Sequence, residues 1–282
     1  MVKIAILGAG QLGSRHLQGA VKSSYPLDIS VIDPSSDSLL LTRTRLGEVE
    51  VGNSSTRVEF MDKLPQGQAY DIAVIATTSD IRLSVVSSLL ESCNLGHLIL
   101  EKVLFVKEKD YQDASKLFKE KHVSAWVNCP RRMFEAYSSI CKTMEEDTGV
   151  SLTVSGYSWG LACNSIHFID LFAFLTNCYN IEIDGKGLTD VVEGKRKGFY
   201  EIYGVLTGVD SDGNSFSLEC VKDELLSVKV VIKSDQREIV IDETEGKIIH
   251  VENSEVTEWP FKPLFQSELT NLTIDELLAD GL

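Results

Sequence analysis

Residues 2–13 read Val-Lys-Ile-Ala-Ile-Leu-Gly-Ala-Gly-Gln-Leu-Gly, and this stretch decides the fold of the first half of the chain. The apolar run Val2–Leu7 is typical of a strand that is buried on both faces of a parallel sheet. Three glycines follow it with the spacing G-x-G-x-x-G, and the apolar residues from Leu12 to Val21 recur at helical intervals. A strand, a glycine turn and a helix in this order predict the first unit of a dinucleotide-binding domain.

Each glycine of the turn has a separate physical role in such a domain. Gly8 permits the tight turn, Gly10 lets a pyrophosphate approach the backbone, and Gly13 allows the helix to pack closely on the strand. The helix start presents unpaired N–H groups and the positive end of the helix dipole to the phosphates. We therefore expect Gln11 and Leu12, at that start, to join the three glycines in contacting the cofactor.

A second predicted strand, Ile29–Ile32, leads into Asp33, at the distance beyond the glycines where such domains carry an acidic residue. This carboxylate accepts hydrogen bonds from the ribose hydroxyls of NAD and repels the 2′-phosphate of NADP. No arginine occurs among residues 34–36 to receive that phosphate. The predicted cofactor is NAD, with NADP disfavoured. A glycine turn without a ligand, or one for FAD or S-adenosylmethionine, is the alternative.

Strand and helix patterns alternate through the rest of the first half, as they do in right-handed βαβ units. Further strands are predicted at Asp71–Ala76, His97–Leu100 and Ser124–Val127, and helices at Ser38–Leu46, Val85–Cys93 and Lys109–Glu120. The predicted fold class is therefore α/β for an N-terminal Rossmann domain, residues 1–123, with a doubly wound parallel sheet.

Residues 124–282 follow a different pattern. Helices are predicted at Arg132–Glu146, Ile166–Leu175 and Leu269–Leu278, and a strand at Ser151–Tyr157. Turn sequences separate two pairs of strands, with Asp212-Gly213 between Tyr203–Val209 and Ser215–Val221, and Glu245-Gly246 between Glu238–Asp242 and Lys247–Val251. We expect a second, α+β domain with an open, mainly antiparallel sheet.

Composition and charge exclude several classes of function. Of the 282 residues 43% are hydrophobic, and the formal net charge is -15, which disfavours nucleic acid and anionic membrane surfaces as partners. No apolar stretch approaches the roughly 20 residues of a membrane span, and the first residues lack a secretory signal pattern, so we predict a cytoplasmic protein. The six cysteines include no C-x-x-C pair, so we expect free thiols, and no residue group has metal-ligand spacing, so no metal is predicted.

Two further motifs follow predicted strands, and with the glycine turn they carry a family resemblance. The motifs are Thr77-Thr78 and Glu101-Lys102-Val103. Together these features resemble the glucose-fructose oxidoreductase / inositol dehydrogenase / MocA family of oxidoreductases, whose members carry Glu-Lys-Pro at the second motif. The segment Asn128-Cys129-Pro130-Arg131-Arg132 resembles the one that opens the second domain of the family. The resemblance covers most of the chain and is stronger in the first domain.

The resemblance implies a catalytic lysine at Lys102, close to the nicotinamide and the substrate oxygen. It also implies cofactor contacts from Thr77, Thr78, Glu101 and Lys102. An ammonium group beside a developing alkoxide stabilises the negative charge. Val103 replaces the family proline, which shapes the backbone there. The alternative for Lys102 is an exposed lysine at the end of a strand.

The family also places an Asp and a His one helical turn apart in the second domain, with another Asp three residues after the His. His167 and Asp170 match the last two, whereas Cys163 stands in place of the first acid. Asn164, His167 and Asp170 recur every three residues and so share one face of a helix. We predict that His167, oriented by Asp170, takes the proton of the substrate hydroxyl, and that Asn164 and Asp170 contact the substrate. A buried, structural His167–Asp170 pair is the alternative.

Arg131 and Arg132 are predicted to bind an anionic group of the substrate, because a guanidinium group pairs well with carboxylate or phosphate. The alternative, with equal weight, is that both are surface arginines at the start of a helix.

The resemblance as a whole implies an NAD-dependent oxidoreductase that moves a hydride between nicotinamide and a carbinol or carbonyl carbon of a sugar, cyclitol or sugar derivative. It also implies a homo-oligomer whose contacts come from the second domain. Two alternatives stay open: a non-catalytic, NAD-binding regulatory protein, and a reductase of an imine or unsaturated substrate that is similar to biliverdin reductase.

Overall fold

The computed structural model describes residues 1–194, 198–222, 226–252 and 254–279. The chain forms two compact units, one made of Met1–Asn128 with Leu264–Leu282 and the other of Cys129–Pro263. The first unit thus includes a C-terminal segment that the sequence patterns group with the second domain. Among the helices of the described ranges, none combines the length and apolar character needed to cross a membrane.

The described strands and helices have the following bounds in chain order. The strands are β1 (Val2–Leu7), β2 (Leu27–Ile32), β3 (Arg57–Met61), β4 (Ala69–Ile75), β5 (Asn94–Leu100), β6 (Ser124–Val127), β7 (Ser151–Tyr157), β8 (Ile181–Asp184), β9 (Leu188–Glu193), β10 (Tyr200–Asp210), β11 (Ser215–Val221), β12 (Lys229–Lys233), β13 (Arg237–Asp242), β14 (Lys247–Glu252) and β15 (Glu255–Pro260). The helices are α1 (Gln11–Ala20), α2 (Ser36–Leu46), α3 (Arg82–Ser92), α4 (Glu108–Lys121), α5 (Glu135–Thr143), α6 (Leu161–Thr176) and α7 (Gln266–Ala279).

The first unit is built on a six-stranded sheet with the order β3-β2-β1-β4-β5-β6. All its strand pairs are parallel, which confirms the predicted doubly wound Rossmann sheet. The strand order reverses between β1 and β4, where such sheets bind ligands beyond the carboxyl ends of the strands. Asp33 follows β2, Thr77 lies two residues after β4, and Glu101 follows β5. These three predicted cofactor residues therefore all lie at the carboxyl ends of the parallel strands.

Alternate residues of β1 point into two separate hydrophobic cores. Ile4 and Ile6 belong to the core that also contains Leu17 of α1, whereas Ala5 and Leu7 belong to the core on the other face of the sheet. These four β1 side chains are all buried, as expected for a strand covered by helices on both faces. The burial of each of the larger side chains, Ile4, Ile6 and Leu7, contributes about 1.5–3 kcal/mol.

Helix α7 packs closely on α1, although it lies at the far end of the sequence. A Cβ atom on Gly19 would lie 2.9 Å from the carbonyl oxygen of Gln266, so the two backbones approach because Gly19 has no side chain. Ile274 of α7 is fully buried in the core that contains Leu17. Ser23, just after α1, also hydrogen-bonds to Asp275. These contacts explain why the C-terminal segment belongs to the first unit.

The second unit is built on a nine-stranded sheet with the order β15-β14-β13-β12-β7-β11-β10-β8, and β9 pairs with β10. Its strand pairs are antiparallel except β7 with β11, which is parallel. This mixed, mainly antiparallel sheet confirms the predicted α+β class. The two predicted hairpins are β10–β11 and β13–β14.

Two helix predictions in this unit were wrong at their bounds. The continuous helix expected over Arg132–Glu146 is a short 3-10 helix, Pro130–Met133, followed by α5. Phe134 between them is extended, with φ -77° and ψ 124°, and its ring packs near those of Tyr137 and Phe261. Burying that aromatic ring interrupts the helix. Helix α6 begins at Leu161, earlier than the predicted Ile166.

Candidate active site

The glycine turn of the first unit is tightly packed at Gly8 and Gly13 and open at Gly10. Gly8 has φ +95°, which side-chain-bearing residues rarely adopt, and a Cβ on Gly13 would lie 1.7 Å from the Gly8 carbonyl oxygen. A Cβ on Gly10, by contrast, would meet nothing within 4 Å. No side chain caps α1 at Gly10, and its first turn contains no acidic residue. The open space over Gly10 therefore faces uncapped N–H groups with a positive helix end.

Asp33 ties the end of β2 to this turn. Its Oδ2 accepts a hydrogen bond of 2.7 Å from the backbone N–H of Ala9, and its Oδ1 accepts one of 2.8 Å from that of Ser35. The carboxylate is thus held beside the glycines, where sequence reasoning expects the ribose of the cofactor.

Two residues of helix α2 that sequence reasoning missed make four hydrogen bonds to the turn and the start of α1. The hydroxyl of Thr42 donates to the Ala9 carbonyl at 2.5 Å. Arg45 donates from Nη1 to the Gln11 carbonyl at 3.0 Å and to Ser14 Oγ at 2.6 Å, and from Nη2 to Gln11 Oε1 at 2.5 Å. The sequence holds no motif for these contacts, because both residues lie on a helix of ordinary polar composition. Arg45 fixes the first turn of α1, including the predicted cofactor residue Gln11.

Thr77 and Thr78 lie between β4 and α3. The Thr78 carbonyl accepts a hydrogen bond of 3.3 Å from the N–H of Ile81 at the start of α3. The Thr77 hydroxyl is buried and has no hydrogen-bond partner among the residues that the structure describes. Because buried hydroxyl groups are normally paired, this oxygen is suited to meet a ligand at the same sheet edge.

Glu101 is buried within a polar network. Its Oε1 lies 2.8 Å from Nε2 of His16 and accepts a hydrogen bond of 2.5 Å from Nδ2 of Asn128. Nδ1 of His16 lies 3.0 Å from the hydroxyl of Thr270 in α7. Burial on its own raises the pKa of Glu101, but the hydrogen bond and charge of His16, together with the bond from Asn128, bring that pKa below its usual value. Glu101, the residue before Lys102, is therefore an anion held in place by His16 and Asn128.

Lys102 is partly exposed at the end of β5, and its peptide bond with Val103 is cis. The carbonyls of Val103 and Leu104 accept hydrogen bonds of 2.6 Å and 2.7 Å from the guanidinium group of Arg82. Arg82 is a second residue that sequence reasoning missed.

In the second unit, helix α6 carries the predicted polar residues Asn164, His167 and Asp170. Gly160 precedes the helix with φ +82°, and Nδ2 of Asn164 donates to the Trp159 carbonyl at 2.7 Å. His167 is half-buried.

Cys163, which stands where the family has an acid, is exposed in the first turn of α6. A carboxylate nevertheless lies at this helix start, because Oε2 of Glu201 accepts a hydrogen bond of 3.3 Å from the N–H of Ala162.

Arg132 and Asp170 form a two-fold ion pair. Nε of Arg132 lies 3.0 Å from Oδ2 of Asp170, and Nη2 lies 2.6 Å from Oδ1. Burial on its own lowers the pKa of Arg132, but the hydrogen bonds and charge of Asp170 raise it above its usual value. Each charge of this pair is therefore met by an opposite charge inside the unit.

Arg131 has a similar internal partner in Glu243. Its Nη2 lies 3.1 Å and 3.2 Å from the two carboxylate oxygens, and its guanidinium carbon lies 4.0 Å from the centre of the Phe168 ring. The Tyr137 hydroxyl donates to Oε1 of Glu243 at 3.1 Å. Burial, and then the charge of Glu243, raise the pKa of Tyr137 well above its usual value, so the hydroxyl keeps its proton. Both arginines that were predicted to meet substrate thus have carboxylate partners.

The sequence of the first domain matches a known family. The family model described as "Oxidoreductase family, NAD-binding Rossmann fold" (GFO_IDH_MocA) matches residues 2–129. This match confirms the family resemblance. Residues 2–129 therefore match the NAD-binding Rossmann domain of the Gfo/Idh/MocA oxidoreductase family. No curated protein matches the sequence.

Solved structures share the fold of the whole chain at low sequence identity. An oxidoreductase from Agrobacterium radiobacter in complex with NAD+, L-tartaric acid and magnesium is 13% identical with a TM-score of 0.72, covering 99% of this chain and 89% of its own. The UDP-N-acetylglucosamine 3-dehydrogenase GnnA from Acidithiobacillus ferrooxidans is 12% identical with a TM-score of 0.73 and the same two coverages. A mutant Gal80p from Saccharomyces cerevisiae is 14% identical with a TM-score of 0.70, covering 99% and 84%.

Proposed function

We propose that this chain is a member of the Gfo/Idh/MocA family and an NAD-dependent enzyme that moves a hydride between nicotinamide and a carbinol or carbonyl carbon of a sugar, cyclitol or sugar derivative. The observation that carries the proposal is the Asp33 carboxylate, held 2.7 Å from the backbone nitrogen of Ala9 beside a glycine turn whose helix start is uncapped. An acidic group at this place favours the ribose hydroxyls of NAD over the phosphate of NADP.

The residues at this edge of the sheet fit a dinucleotide. Gly10 has open space where a Cβ would stand, and the Thr77 hydroxyl is a buried group without a partner among the described residues. We assign the diphosphate to residues 10–13 and the adenosine ribose to Asp33, and we assign the nicotinamide half to Thr77, Thr78 and Lys102. When bound, NAD supplies the acceptor or donor of the hydride, and the chain supplies position and electrostatics.

Lys102 is the proposed proton-handling residue of the first unit. Its ammonium group stabilises negative charge on the substrate oxygen and gives or receives the proton at Nζ. Glu101 is buried and paired with His16, so we assign it the task of fixing the backbone before Lys102.

In the second unit we assign proton transfer to His167 and orientation of the substrate to Asn164 and Asp170. All three lie on α6, and a polar stripe on an otherwise apolar helix must be satisfied within the protein or face a ligand. A carbohydrate suits this assignment because its hydroxyl groups both donate and accept hydrogen bonds. GnnA, which shares the fold, is named as a dehydrogenase of a nucleotide sugar.

A non-catalytic, NAD-binding regulatory protein is the second candidate. The ion pair between Arg132 and Asp170 favours it, because both oxygens of that carboxylate already accept from the arginine. The replacement of the family acid by Cys163 also favours the non-catalytic candidate. Saturable NADH binding without turnover of any polyol, sugar or imine substrate would support this candidate over the enzyme.

We also propose a homo-oligomer formed through one face of the second sheet. A row of uncharged side chains crosses that face in register, and none of them is buried: Thr207, Ser217, Thr153, Val231, Val240 and Ile249. Their neighbours along the strands, such as Leu152, Val154 and Ile232, are fully buried on the opposite face. A row of uncharged, incompletely buried side chains suits isologous packing against a second copy.

The first test is a fluorescence titration of the purified protein with NADH and, separately, with NADPH. We expect saturable binding at least tenfold tighter for NADH, and loss of that preference in Asp33→Ala. Asp37→Ala removes an exposed acid from the first turn of α2 and is the matched control. The absence of binding to either nucleotide would overturn the proposal.

The second test is a screen of polyols, sugars and nucleotide sugars with NAD, followed by variants of the two proton-handling residues. We expect Lys102→Ala to lower kcat by about 10²–10⁴-fold, the usual contribution of a positioned acid or base. His167→Ala is expected to lower kcat within the same range while NADH binding is unchanged. Lys109→Ala, on the exposed start of α4, is the control for Lys102.

A further inference from the structure

Arg82 is a buried, positively charged residue at the start of a helix, where both burial and the helix dipole disfavour a positive charge. The residue is 2% exposed, and α3 begins with it. A positive charge at a helix start opposes the helix dipole, and burial makes an unpaired charge costly. Burial lowers the pKa of Arg82 below its usual value, and the negative charge of Glu101 acts in the opposite direction. An arginine kept against these two penalties must satisfy a specific set of acceptors.

The acceptors of Arg82 are main-chain carbonyls from two separate loops. Nη1 donates to Val103 at 2.6 Å and to Leu104 at 2.7 Å, in the loop after β5. Nη2 donates to the Thr77 carbonyl at 2.5 Å, in the loop after β4. Hydrogen bonds from a charged donor are about twice as strong as neutral ones. One side chain therefore holds the backbones of both loops that we assign to the nicotinamide half of the cofactor.

Lys102 lies between two anchored neighbours. On one side, the Glu101 side chain is fixed by His16 and Asn128. On the other side, the Val103 carbonyl is fixed by Arg82. The backbone at Lys102 is thus held from both ends.

We propose that Arg82 is a positioning residue for Lys102, setting the place of the Lys102 backbone relative to Thr77. This inference rests on the proposed function, because it assigns Arg82 an effect on catalysis that passes through Lys102. A reacting group displaced by about 1 Å can lose about 10²-fold in rate, so release of the loop lowers kcat even when the cofactor still binds. The role belongs to the guanidinium fork, which reaches three carbonyls at once, and a lysine at position 82 cannot reproduce it.

The test uses Arg82→Met and Arg82→Lys, with Arg57→Met at an exposed position of β3 as the control. Without cofactor, we expect amide hydrogen exchange in the segment 101–106 to become at least tenfold faster in Arg82→Met and to stay unchanged in Arg57→Met. With a substrate from the screen, we expect the Kd for NADH to stay within threefold and kcat to fall about 10²-fold. For Arg82→Lys we expect an exchange rate and a kcat between those of the wild type and those of Arg82→Met. This variant replaces Arg82→Met if Arg82→Met does not fold.

The decisive comparison is the double variant with Lys102→Ala. If Arg82 acts through Lys102, adding Arg82→Met to Lys102→Ala lowers kcat by no more than a further threefold. If Arg82→Met lowers kcat about 10²-fold in the Lys102→Ala background too, the positioning role of Arg82 is overturned while the proposed function stands. The same holds if amide exchange in the segment 101–106 is unchanged by Arg82→Met in an active enzyme. If the wild-type chain binds NADH but turns over no substrate, the proposed function fails, and the positioning role fails with it whatever the exchange rates.

Discussion

His16 and Glu101 form a buried pair, with Nε2 of the histidine 2.8 Å from Oε1 of the glutamate and side chains that are 1% and 5% exposed. The pair joins α1, which begins in the glycine turn, to the end of β5, which leads into Lys102. Thr270 extends the connection to α7. The network thus links the helix of the glycine turn, the proposed catalytic lysine and the C-terminal helix within one unit.

This pair predicts a pH-dependent contribution to stability. The pKa of Glu101 is lower in the folded chain than its usual value, so the unfolded state binds more protons near that value. The contribution is therefore fully present above the ordinary glutamate pKa of 4.5 and is lost as the pH falls through the lower folded value. We expect Glu101→Gln to cost about 2 kcal/mol at pH 7, because the glutamine keeps the shape but loses the charge.

Urea unfolding of the wild-type and Glu101→Gln proteins between pH 7 and pH 3 tests this expectation. The stability difference should shrink below about pH 4. Glu120→Gln, on the exposed side of α4, should show no comparable trend. A difference that stays constant across this range would contradict the ionised state of Glu101.

The glycines at positions 10 and 13 should separate binding from folding. A Cβ on Gly10 meets nothing within 4 Å, so Gly10→Ala should change stability by less than about 0.5 kcal/mol while NADH affinity falls at least tenfold. A Cβ on Gly13 would lie 1.7 Å from the Gly8 carbonyl oxygen, so Gly13→Ala should lose about 3 kcal/mol or more. Urea unfolding and NADH titration of both variants measure the two effects. Equal losses of stability would remove the case for a ligand cradle at Gly10.

The sequence predicts the parts of the first unit that depend on local pattern. The apolar run of β1, the glycine spacing and the placement of Asp33 after β2 are periodic or adjacent features, and these predictions agree with the fold. Strand β3 was missed because its exposed Arg57 and Glu59 break the apolar run at the edge of the sheet. The helix bounds near Phe134 depend on a ring contact with Phe261, far along the chain.

The same limit applies to the candidate site. Glu101 and Lys102 become candidates through the family resemblance and their place after a buried strand, but Arg82 is a lone arginine at a helix start, without a motif. Its role follows from three carbonyls that only the folded loops bring together. The partnership of His16 with Thr270 spans most of the sequence and depends on α7 docking on α1.

The ion pair of Arg132 and Asp170 predicts a measurable coupling in stability. The side chains are 32% and 23% exposed and meet through two hydrogen bonds, so a double-mutant cycle with Arg132→Ala and Asp170→Ala should give about 1–2 kcal/mol. The exposed pair Lys116–Glu120 should give about 0.3 kcal/mol in a parallel cycle. A coupling near zero would contradict this pairing, whereas a raised KM for substrate in Asp170→Ala would support the substrate contact that we propose for Asp170.

The uncharged row on the second sheet predicts where copies of the chain meet. Val231 and Thr153 are cross-strand neighbours near the middle of the row, and neither is buried. An arginine there places a charge in the centre of a packed sheet face, where charged residues are depleted in real interfaces. We expect Val231→Arg and Thr153→Arg to reduce the mass measured by light scattering to that of one chain, with no change in far-ultraviolet circular dichroism. As a control, Val51→Arg changes an exposed valine of the first unit and should keep the wild-type mass.

If all three variants keep an oligomeric mass, the contact lies elsewhere on the chain. If the wild type already has the mass of one chain, the uncharged row does not bind a second copy of the chain.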